Sequence, residues 1–558
     1  MHYWVPGLLI LLVLFFVSGY FKSRNLKKKK LVEIREQWGK PKYTGRNFKL
    51  ISAYLNANEG GSDIADSTAS DLDIDHVFSY IDHTSSKPGQ QYLYKILHSP
   101  QIGKSYFKSL EQSIELVNSD QKQRELAQLK LSELGSNDAY YLPQLFYKPH
   151  AAIFSAAAKL YIIVSPLITV FLTTKLVIRP DQFSLLLLLA MLIANVVIHY
   201  SNKSKMLSFT HSLPQLLTLN RVSKWMLNHR LFVKDDRIDN SLSNVDKLKR
   251  SLSFINLQNK TAVDPTDISY LITEWFKMFL VIEPLVFIIS LNRVNKYLHD
   301  IKILYEAVAQ VDTAISIQSV RDGAGYYCKP IFQATGNNIT IKNLYHPLIE
   351  NCVANSISID NKQGILVTGS NMSGKTTFIR AIALNVLLSQ TINTCFANAY
   401  SAPLLKIFTS INMSDDLGDQ KSYFQAEALA VKKIVMEAEA AKPVNSLVII
   451  DEIFRGTNTI ERIAAAKAVL SHFIENKSFV FVSTHDLELA ELLGAEYKVF
   501  SFEELTGNDR LVFDYKLKEG LLKTRNGIAV LQGLGFPDSI ITEANKVSIG
   551  LREKYDLL

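Results

Sequence analysis

Cysteine is scarce in this chain, with three residues among 558. Cys328, Cys352 and Cys395 are odd in number, and none of them stands in a Cys-x-x-Cys pair. This usage argues against a disulfide framework and against a structural zinc site. We therefore expect the water-soluble part of the chain to lie in a reducing cytoplasm.

Acidic residues are fewer than basic residues, 53 against 61, which gives a net charge of +8 and a pI near 9.0. Such a balance suits a polyanionic partner, either nucleic acid or an anionic lipid surface. Several of the excess lysines stand in one short run, so the charge alone does not choose between these partners. The length allows several domains and a large core.

Residues 5–21 lack charge altogether and form an apolar run just long enough to cross a bilayer at about 1.5 Å per residue. A cleaved signal peptide is the rival interpretation. No lysine or arginine precedes the run and no small-x-small site follows it, whereas Lys22, Arg24 and the lysines at 27–30 come at once. We predict an uncleaved anchor, residues 1–45, with the N-terminus outside. As an alternative, the lysine run is a solvated linker that binds nothing.

A second apolar block covers residues 151–200 and is divided by Arg179-Pro180-Asp181. Two long apolar runs parted by a proline-containing turn predict a membrane hairpin with both ends in the cytoplasm. A third stretch, residues 278–291, is shorter and contains Glu283 and Pro284, so we expect a buried helix rather than a span. The sequence thus predicts about three spans in the plasma (inner) membrane.

The segment "GILVTGSNMSGKTTFIRAIA", residues 364–383, combines a β-branched strand, a glycine-containing loop and an apolar helix. Its centre fits the phosphate-binding pattern GxxxxGK[ST], in which backbone N–H groups and a helix N-terminus face phosphate charge. Lys375 would meet the β- and γ-phosphates of ATP, and Thr376 would place its hydroxyl on Mg²⁺. The predicted nucleotide-binding residues are Gly369, Ser370, Asn371, Met372, Ser373, Gly374, Lys375, Thr376 and Thr377.

Two further apolar strands end in polar residues. The stretch "SLVIIDEIFRG" ends in Asp451, a candidate magnesium ligand, and Glu452, a candidate for orienting or deprotonating the attacking water. The stretch "SFVFVSTHD" brings His485 to the end of a strand, where α/β sheets bind ligands. We predict that His485 contacts the γ-phosphate, although a lone histidine is more often structural.

Six ordered blocks make the C-terminal half, about residues 340–545, resemble the ATPase domain of the MutS mismatch-repair family, an ABC-type ATPase. The blocks are "YHPLIE", "VTGSNMSGKTTFIRAI", "SDDLGDQKSYFQAE", "LVIIDEIFRGTNTIE", "VSTHDLELAEL" and "TRNGIAVLQGLGFP". The resemblance implies that Glu452 is the catalytic acid and Asp451 the magnesium-side acid. It also implies that the adenine lies near Val353 to Asn355, and that Ser422 reaches into the site of a second subunit in a homodimer.

Upstream, "DHVFSYIDHTSSKPGQQYLYKILHSP" resembles the start of the helical core of MutS proteins. The expected fold is therefore an α/β P-loop (ABC-type) ATPase domain at the C-terminus, preceded by an all-α MutS-like core and lever region that a transmembrane hairpin interrupts. The predicted divisions are the anchor at 1–45, the core at 46–150, the hairpin at 151–200, the second part of the core and lever at 201–335, and the ATPase domain at 336–558.

The chain departs from the family pattern in two places. Family mismatch readers wedge a phenylalanine, followed two residues on by a glutamate, into the duplex, and residues 1–330 contain no Phe-x-Glu. Gln420 stands where the family usually has a glycine, so its side chain either slows hydrolysis or is merely tolerated. We expect either a family role in binding mismatched double-stranded DNA or a membrane-anchored ATPase switch that acts on a membrane or protein partner. An ABC transporter fits poorly.

Overall fold

A computed structural model describes residues 21–555 apart from 23, 43–44, 58–60, 102, 148–153, 252–274, 334–335, 371, 413–422, 508–509, 522–527, 529–530 and 533–534. The predicted anchor at 5–21 lies outside the described residues except for Phe21. The chain divides into two compact units. Unit 1 contains residues 1–61, 82–95 and 111–319, and unit 2 contains residues 62–81, 96–110 and 320–558.

Helices make up the regular structure in the described part of unit 1. The shorter ones are α1 (24–36), α2 (Phe48–Ile51), α3 (Ala53–Ala57), α6 (Lys87–Leu97), α8 (Gln121–Leu131), α9 (Gln144–Tyr147), α12 (Asp236–Ser251) and α13 (275–279), with 3₁₀ turns at Ser132–Leu134 and Asn137–Tyr141. The longer ones are α7 (Lys104–Asn118), which starts in unit 2, α10 (Ala156–Ile178), α11 (Gln182–Asn228), α14 (Ile282–Lys296) and α15 (Leu298–Gly323).

The predicted hairpin region consists of α10 and the first part of α11. Ala156–Ile178 and Gln182–Ser201 have mean hydropathies of 2.0 and 2.2 and are long enough to cross a bilayer. Asp181 caps α11 through a 2.7 Å hydrogen bond from the Ser184 N–H, which explains the sharp turn between them. The second helix does not stop at residue 200, because α11 continues unbroken to Asn228.

The third apolar stretch lies against both of these helices. It is broken at Val281, whose left-handed backbone (φ 49°) separates α13 from α14. The Asn195 side-chain amide donates a 2.6 Å hydrogen bond to the Phe279 carbonyl just before the break. Because α14 rises only about 22 Å at about 1.5 Å per residue, it is too short to span a bilayer.

Unit 2 is built on two sheets. The smaller has the strand order β1-β5-β2-β3 and the larger the order β10-β9-β4-β8-β7-β6. The strands are β1 (Ile331–Phe332), β2 (Asn338–Leu344), β3 (Asn355–Asp360), β4 (Gly364–Thr368), β5 (Ala399–Ala402), β6 (Leu405–Ser410), β7 (Asn445–Asp451), β8 (Phe479–Ser483), β9 (Tyr497–Gly507) and β10 (Arg510–Glu519).

In the larger sheet, β9, β4, β8, β7 and β6 run parallel, and β10 pairs antiparallel with β9. The central strands β4 and β8 are buried along their whole length, which fits a parallel sheet covered on both faces. The helices of this unit are α4 (Asp66–Asp71), α5 (Ile74–Ile81), α16 (Lys375–Ile392), α17 (Tyr423–Ala440), α18 (Thr459–Glu475), α19 (Leu487–Leu493) and α20 (Asp538–Tyr555).

Residues 62–81 and 96–110 belong to unit 2 although they precede its sheets by more than two hundred residues. The buried carboxylate of Asp71, at the end of α4, accepts hydrogen bonds from the Thr409 hydroxyl (2.7 Å) and the Asn412 N–H (2.7 Å). These bonds attach α4 to the end of β6. The domain boundaries drawn from the sequence stay predictions. The two compact units divide the chain differently, because residues 62–81 and 96–110 of the predicted helical core lie in unit 2.

Candidate nucleotide-binding site

Three neighbouring strands of the larger sheet deliver the candidate site residues to one edge. Since β4, β8 and β7 are adjacent and parallel, their carboxyl ends lie side by side. The phosphate loop follows β4, His485 follows β8, and Asp451 ends β7 with Glu452 next to it. Residues far apart in the sequence therefore surround one cleft of about 670 Å³.

The phosphate loop is shaped by two glycines. Gly369 has φ 139°, and a side chain there would come within 2.9 Å of the Ser373 hydroxyl and 3.0 Å of the Phe502 carbonyl. Gly374 has φ 103° and precedes the first residue of α16. Both positions therefore need glycine, for backbone conformation and for close approach.

The Lys375 side chain is buried and folds back on its own loop. Its ammonium donates to the carbonyls of Gly369 (2.9 Å) and Ser370 (2.6 Å) and lies 3.4 Å from His485 Nε2. Close by in the sequence, the Ser373 Oγ is buried and has no hydrogen-bond partner among the described residues. A buried lysine and an orphaned hydroxyl are a donor set that fits phosphate oxygens.

Thr376 and Asp451 meet where the sequence predicts the magnesium site. The Thr376 hydroxyl donates a 2.8 Å hydrogen bond to Asp451 Oδ2, and the Ser483 hydroxyl donates to Asp451 Oδ1. Hydroxyl and carboxylate oxygens are the ligands that Mg²⁺ takes in nucleotide sites. These residues therefore fit a magnesium ion.

Glu452 is held from both sides. Its Oε1 lies 2.7 Å from His485 Nε2, and its Oε2 lies 2.7 Å from Arg455 Nε. Burial opposes ionisation of this carboxyl, but the hydrogen bond and positive charge of His485, together with Arg455 and Lys375, lower its pKa. The side chain is therefore an oriented carboxylate at the mouth of the phosphate loop.

The turn after β7 is strained, since Glu452 (φ 53°) and Phe454 (φ 62°) both have left-handed backbones. A buried carboxylate from α17 holds this turn: Glu427 accepts hydrogen bonds from the N–H groups of Arg455 (3.1 Å) and Gly456 (3.4 Å). The helix that begins directly after residues 413–422 thus supports the loop that carries Glu452.

Val353 and Asn355, which the family resemblance places near the adenine, line the same cleft. The Asn355 side chain, however, is engaged with β10: its amide donates to the Tyr515 carbonyl (3.0 Å), and its oxygen accepts from the Leu517 N–H (2.8 Å). Asn355 therefore fixes the strand that bears Tyr515. Gly369, Ser370, Met372 and Thr377 lie in or beside the loop as predicted, whereas Asn371 and Ser422 lie outside the described residues, as does Gln420.

Sequence reasoning missed four residues of this site: Arg455, Glu427, His346 and Tyr515. Arg455 could have been proposed from the sequence, because this basic residue follows the acidic Glu452 by three residues in "DEIFRG". Burial and then the nearby charge of Arg380 lower the pKa of His346 to about 4, so this cleft-lining imidazole is neutral at pH 7. Tyr515 comes from the antiparallel edge strand, which no motif marks.

Comparison with known proteins agrees with this geometry. The family MutS domain V matches residues 365–552. The DNA mismatch repair protein MutS of Clostridium tetani is 32% identical over 287 residues, 49% of this chain and 32% of that protein. Its namesakes from Bacillus cereus and Thermosipho melanesiensis are 30% and 31% identical over 48% of this chain.

The matched region spans only about one third of the length of these relatives, 30% to 33%. The MutS domain V match covers the phosphate loop, the Asp451-Glu452 pair and His485. The C-terminal part of this chain is therefore similar to the MutS family through its domain V.

Proposed function

We propose that unit 2 binds ATP with Mg²⁺ and hydrolyses it in the cleft beside the phosphate loop. One observation carries the proposal: Lys375, Asp451 and Glu452 come from two strand ends and lie around one cleft. In the same phosphate loop, the buried Ser373 Oγ has no hydrogen-bond partner among the described residues. Phosphoryl transfer to water needs positioned positive charge and an oriented carboxylate, and both are preformed here.

Each side chain has a separate task. Lys375 exchanges its two backbone carbonyls for phosphate oxygens, and the Ser373 hydroxyl donates to the same oxygens. Thr376 and Asp451 would hold Mg²⁺, which supplies charge neutralisation at the phosphates. Glu452 accepts a hydrogen bond from the attacking water and orients it, while His485 and Arg455 keep the carboxylate aimed.

The test is nucleotide binding by the full chain in detergent. In Lys375→Ala, the loop loses its buried ammonium, so ATP binding should fall below detection. The control Lys362→Ala removes an exposed lysine from the turn before β4 and should bind ATP like the wild type. Equal ATP affinity in Lys375→Ala and Lys362→Ala would overturn the proposed site.

The homodimer is a proposal that rests on family resemblance. Ser422 would complete the neighbour's site, so ATPase activity should need two chains. Mixing inactive Lys375→Ala chains with inactive Ser422→Ala chains should restore part of the activity through one intact composite site. No rescue in verified heterodimers would contradict the shared site.

The membrane hairpin is the second part of the proposal. Only 22% of the apolar window in α10 and 17% of that in Gln182–Ser201 are buried within the structure. Leu167, Phe171 and Val177 are between 66% and 81% exposed, and so large an apolar surface needs an apolar neighbour. We propose that a lipid bilayer, the plasma (inner) membrane, covers it, with the ATPase unit on the cytoplasmic side.

A role in DNA mismatch repair, or in a related DNA transaction, is the candidate that the similarity to MutS relatives favours. The apolar hairpin favours the alternative, an ATPase switch that acts on a membrane or protein partner. Filter binding of the detergent-solubilised chain to matched and mismatched duplexes across a salt series separates them. Tight binding with a steep salt slope supports direct contact with DNA, whereas no binding at low salt supports the alternative.

A further inference from the structure

Two of the three cysteines face each other in unit 2. Cys328 and Cys395 form an antiparallel bridge in which each N–H donates to the other's carbonyl at 2.9 Å. Residues that exchange both bonds have Cα atoms about 5.5 Å apart. A disulfide needs a Cα separation of about 4.4–6.8 Å, and the separation typical of such a bridge lies within this range.

The side chains agree with the backbone. Cys328 is partly exposed, whereas Cys395 is fully buried and its thiol donates to the Asn385 carbonyl at 3.8 Å. The third thiol is engaged elsewhere: Cys352 Sγ donates to the Val353 carbonyl at 3.9 Å and accepts from the His346 N–H at 3.4 Å. The geometry therefore selects one pair among the three possible pairings.

We propose that Cys328 and Cys395 are an oxidation site that forms a reversible disulfide when the protein meets a peroxide. This goes beyond ATP hydrolysis and does not rest on it. This proposal agrees with an odd number of cysteines, because it needs one transient disulfide and not a structural framework. Disulfides in a reducing compartment are characteristically transient and redox-sensing.

The chemistry balances with hydrogen peroxide as the oxidant. The Cys328 thiolate attacks one peroxide oxygen, the O–O bond breaks, and a sulfenic acid forms as the departing hydroxide takes up the thiol proton. The Cys395 sulfur then attacks the Cys328 sulfur, the S–O bond breaks, and water leaves with the second thiol proton. Two thiols and one peroxide give one disulfide and two waters.

The order of the two steps follows from the surroundings. Cys328 is the thiol that solvent reaches, and the hydrogen bond from Cys395 lowers its pKa, which favours the nucleophilic thiolate. Burial raises the pKa of Cys395 well above its ordinary value, so that thiol waits as the resolving partner. Because Cys395 is buried, outside thiols do not reach it before it attacks the Cys328 sulfenic acid.

The disulfide would reinforce a junction that already exists. Arg321 donates to the Thr394 hydroxyl (3.0 Å) and the Asn393 carbonyl (2.9 Å), tying the same two segments together. Asn385 of α16 accepts the Phe396 N–H at 2.6 Å, so the Cys395 segment is attached to the helix that begins with Lys375. Oxidation would thus add a covalent link between the chain entering the ATPase unit and the end of the phosphate-loop helix.

The experiment maps disulfides in the full chain. Detergent-solubilised protein is treated with hydrogen peroxide, free thiols are alkylated, and a non-reducing digest is read by mass spectrometry. We expect a linked peptide pair containing Cys328 and Cys395, its loss after dithiothreitol, and alkylated Cys352. The control variant Cys352→Ala should keep the linked pair, and Cys328→Ser should lose it.

A second measurement tests whether the folded structure directs the pairing of Cys328 with Cys395. Protein unfolded in urea before oxidation should give mixed pairings, because no bridge then aligns the two thiols. Alkylated Cys395 in the folded, oxidised chain, or a linkage through Cys352 instead, would overturn the proposal. So would folded and unfolded samples that yield the same amount of the 328–395 pair.

Discussion

Two apolar helices of this chain end up in opposite surroundings. In α16, every residue except Thr376, Thr377 and Arg380 is buried, and the helix packs against β6, β7 and β8 of the larger sheet in unit 2. In α10, Ile162, Ser165, Thr169 and Leu172 are the buried residues, and most of the helix faces outward. A helix that is apolar all round needs an apolar environment on every side. Protein supplies it for α16, and for α10 we assign that role to lipid.

The difference teaches how the two regions are recognised. In unit 2, the apolar residues of α16 pack inside the protein, and the charged residues at the cleft pair with one another. The hairpin leaves Phe183 75% exposed and Leu186 66% exposed. The first region buries its apolar helix within the protein, whereas the second leaves an apolar surface that the proposed bilayer would cover.

The largest expected effect lies at the cleft. Glu452→Gln keeps the shape of the side chain but removes the negative charge that orients the attacking water, so ATP turnover should fall about 10² to 10⁴-fold while ATP binding persists. Steady-state phosphate release and nucleotide binding, measured together, check this. Glu437→Gln, in a surface pair with Lys433, is the matched control. Wild-type turnover in Glu452→Gln would remove this carboxylate from the mechanism.

A matched pair of leucines probes the two environments directly. Leu384 in α16 is fully buried, so Leu384→Ala should cost about 2 to 5 kcal/mol of unfolding free energy. Leu167 in α10 is 72% exposed, so Leu167→Ala should cost less than about 1 kcal/mol when lipid fills the space. Thermal unfolding in lipid nanodiscs checks both. Equal losses at the two positions would mean that protein, not lipid, covers α10.

A buried carboxyl supplies a pH test in the helical part of unit 1 outside the hairpin. Asp312 accepts hydrogen bonds from the N–H groups of Ser85 (2.9 Å) and Ser86 (2.7 Å), yet burial raises its pKa to about 6. In the unfolded chain this carboxyl ionises near pH 4, so the folded state binds the extra proton. Its stabilising contribution is complete below about pH 4 and is lost as the pH rises through about 6.

Asp312→Asn should therefore flatten the fall of stability between about pH 4 and pH 6, a change on the order of 3 kcal/mol for a shift of about two pKa units. All four tryptophans precede residue 320, so tryptophan fluorescence during urea unfolding reports on unit 1. The exposed Glu115→Gln is the control and should keep the slope. An unchanged slope in Asp312→Asn would place the pH dependence elsewhere.

The phosphate loop, the Asp451-Glu452 pair and His485 were predictable because parallel strands carry their functional residues at their carboxyl ends. Arg455, Glu427 and Tyr515 were not, because they reach the cleft through a strained turn, a supporting helix and an edge strand. The attachment of residues 62–81 to the ATPase unit was equally hidden, since the Asp71 bonds to the end of β6 join residues remote in sequence.

The predicted spans could be recognised in the sequence as long apolar runs, but the sequence did not predict how they are arranged relative to each other. Lys22, directly after the predicted anchor, and Trp225 line the same cleft. Trp225 lies about 36 Å along α11 from Ser201, at about 1.5 Å per residue. The predicted anchor and the proposed hairpin would therefore share one bilayer only if α11 bends, and Pro214 lies within the helix where such a bend could occur, or if α11 lies along the membrane surface.

The most direct test of the central claim asks which side of the membrane each region faces. In a chain whose native cysteines are replaced by alanine, one cysteine is placed in the exposed turn at Arg179 and another at the exposed Asn458 of unit 2. Arg179 is preferred to Asp181, which caps α11. On intact cells, a membrane-impermeant thiol reagent should label position 179, while position 458 should stay protected until lysis. Labelling of position 458 on intact cells, or protection of position 179, would contradict a bilayer-embedded hairpin joined to a cytoplasmic ATPase.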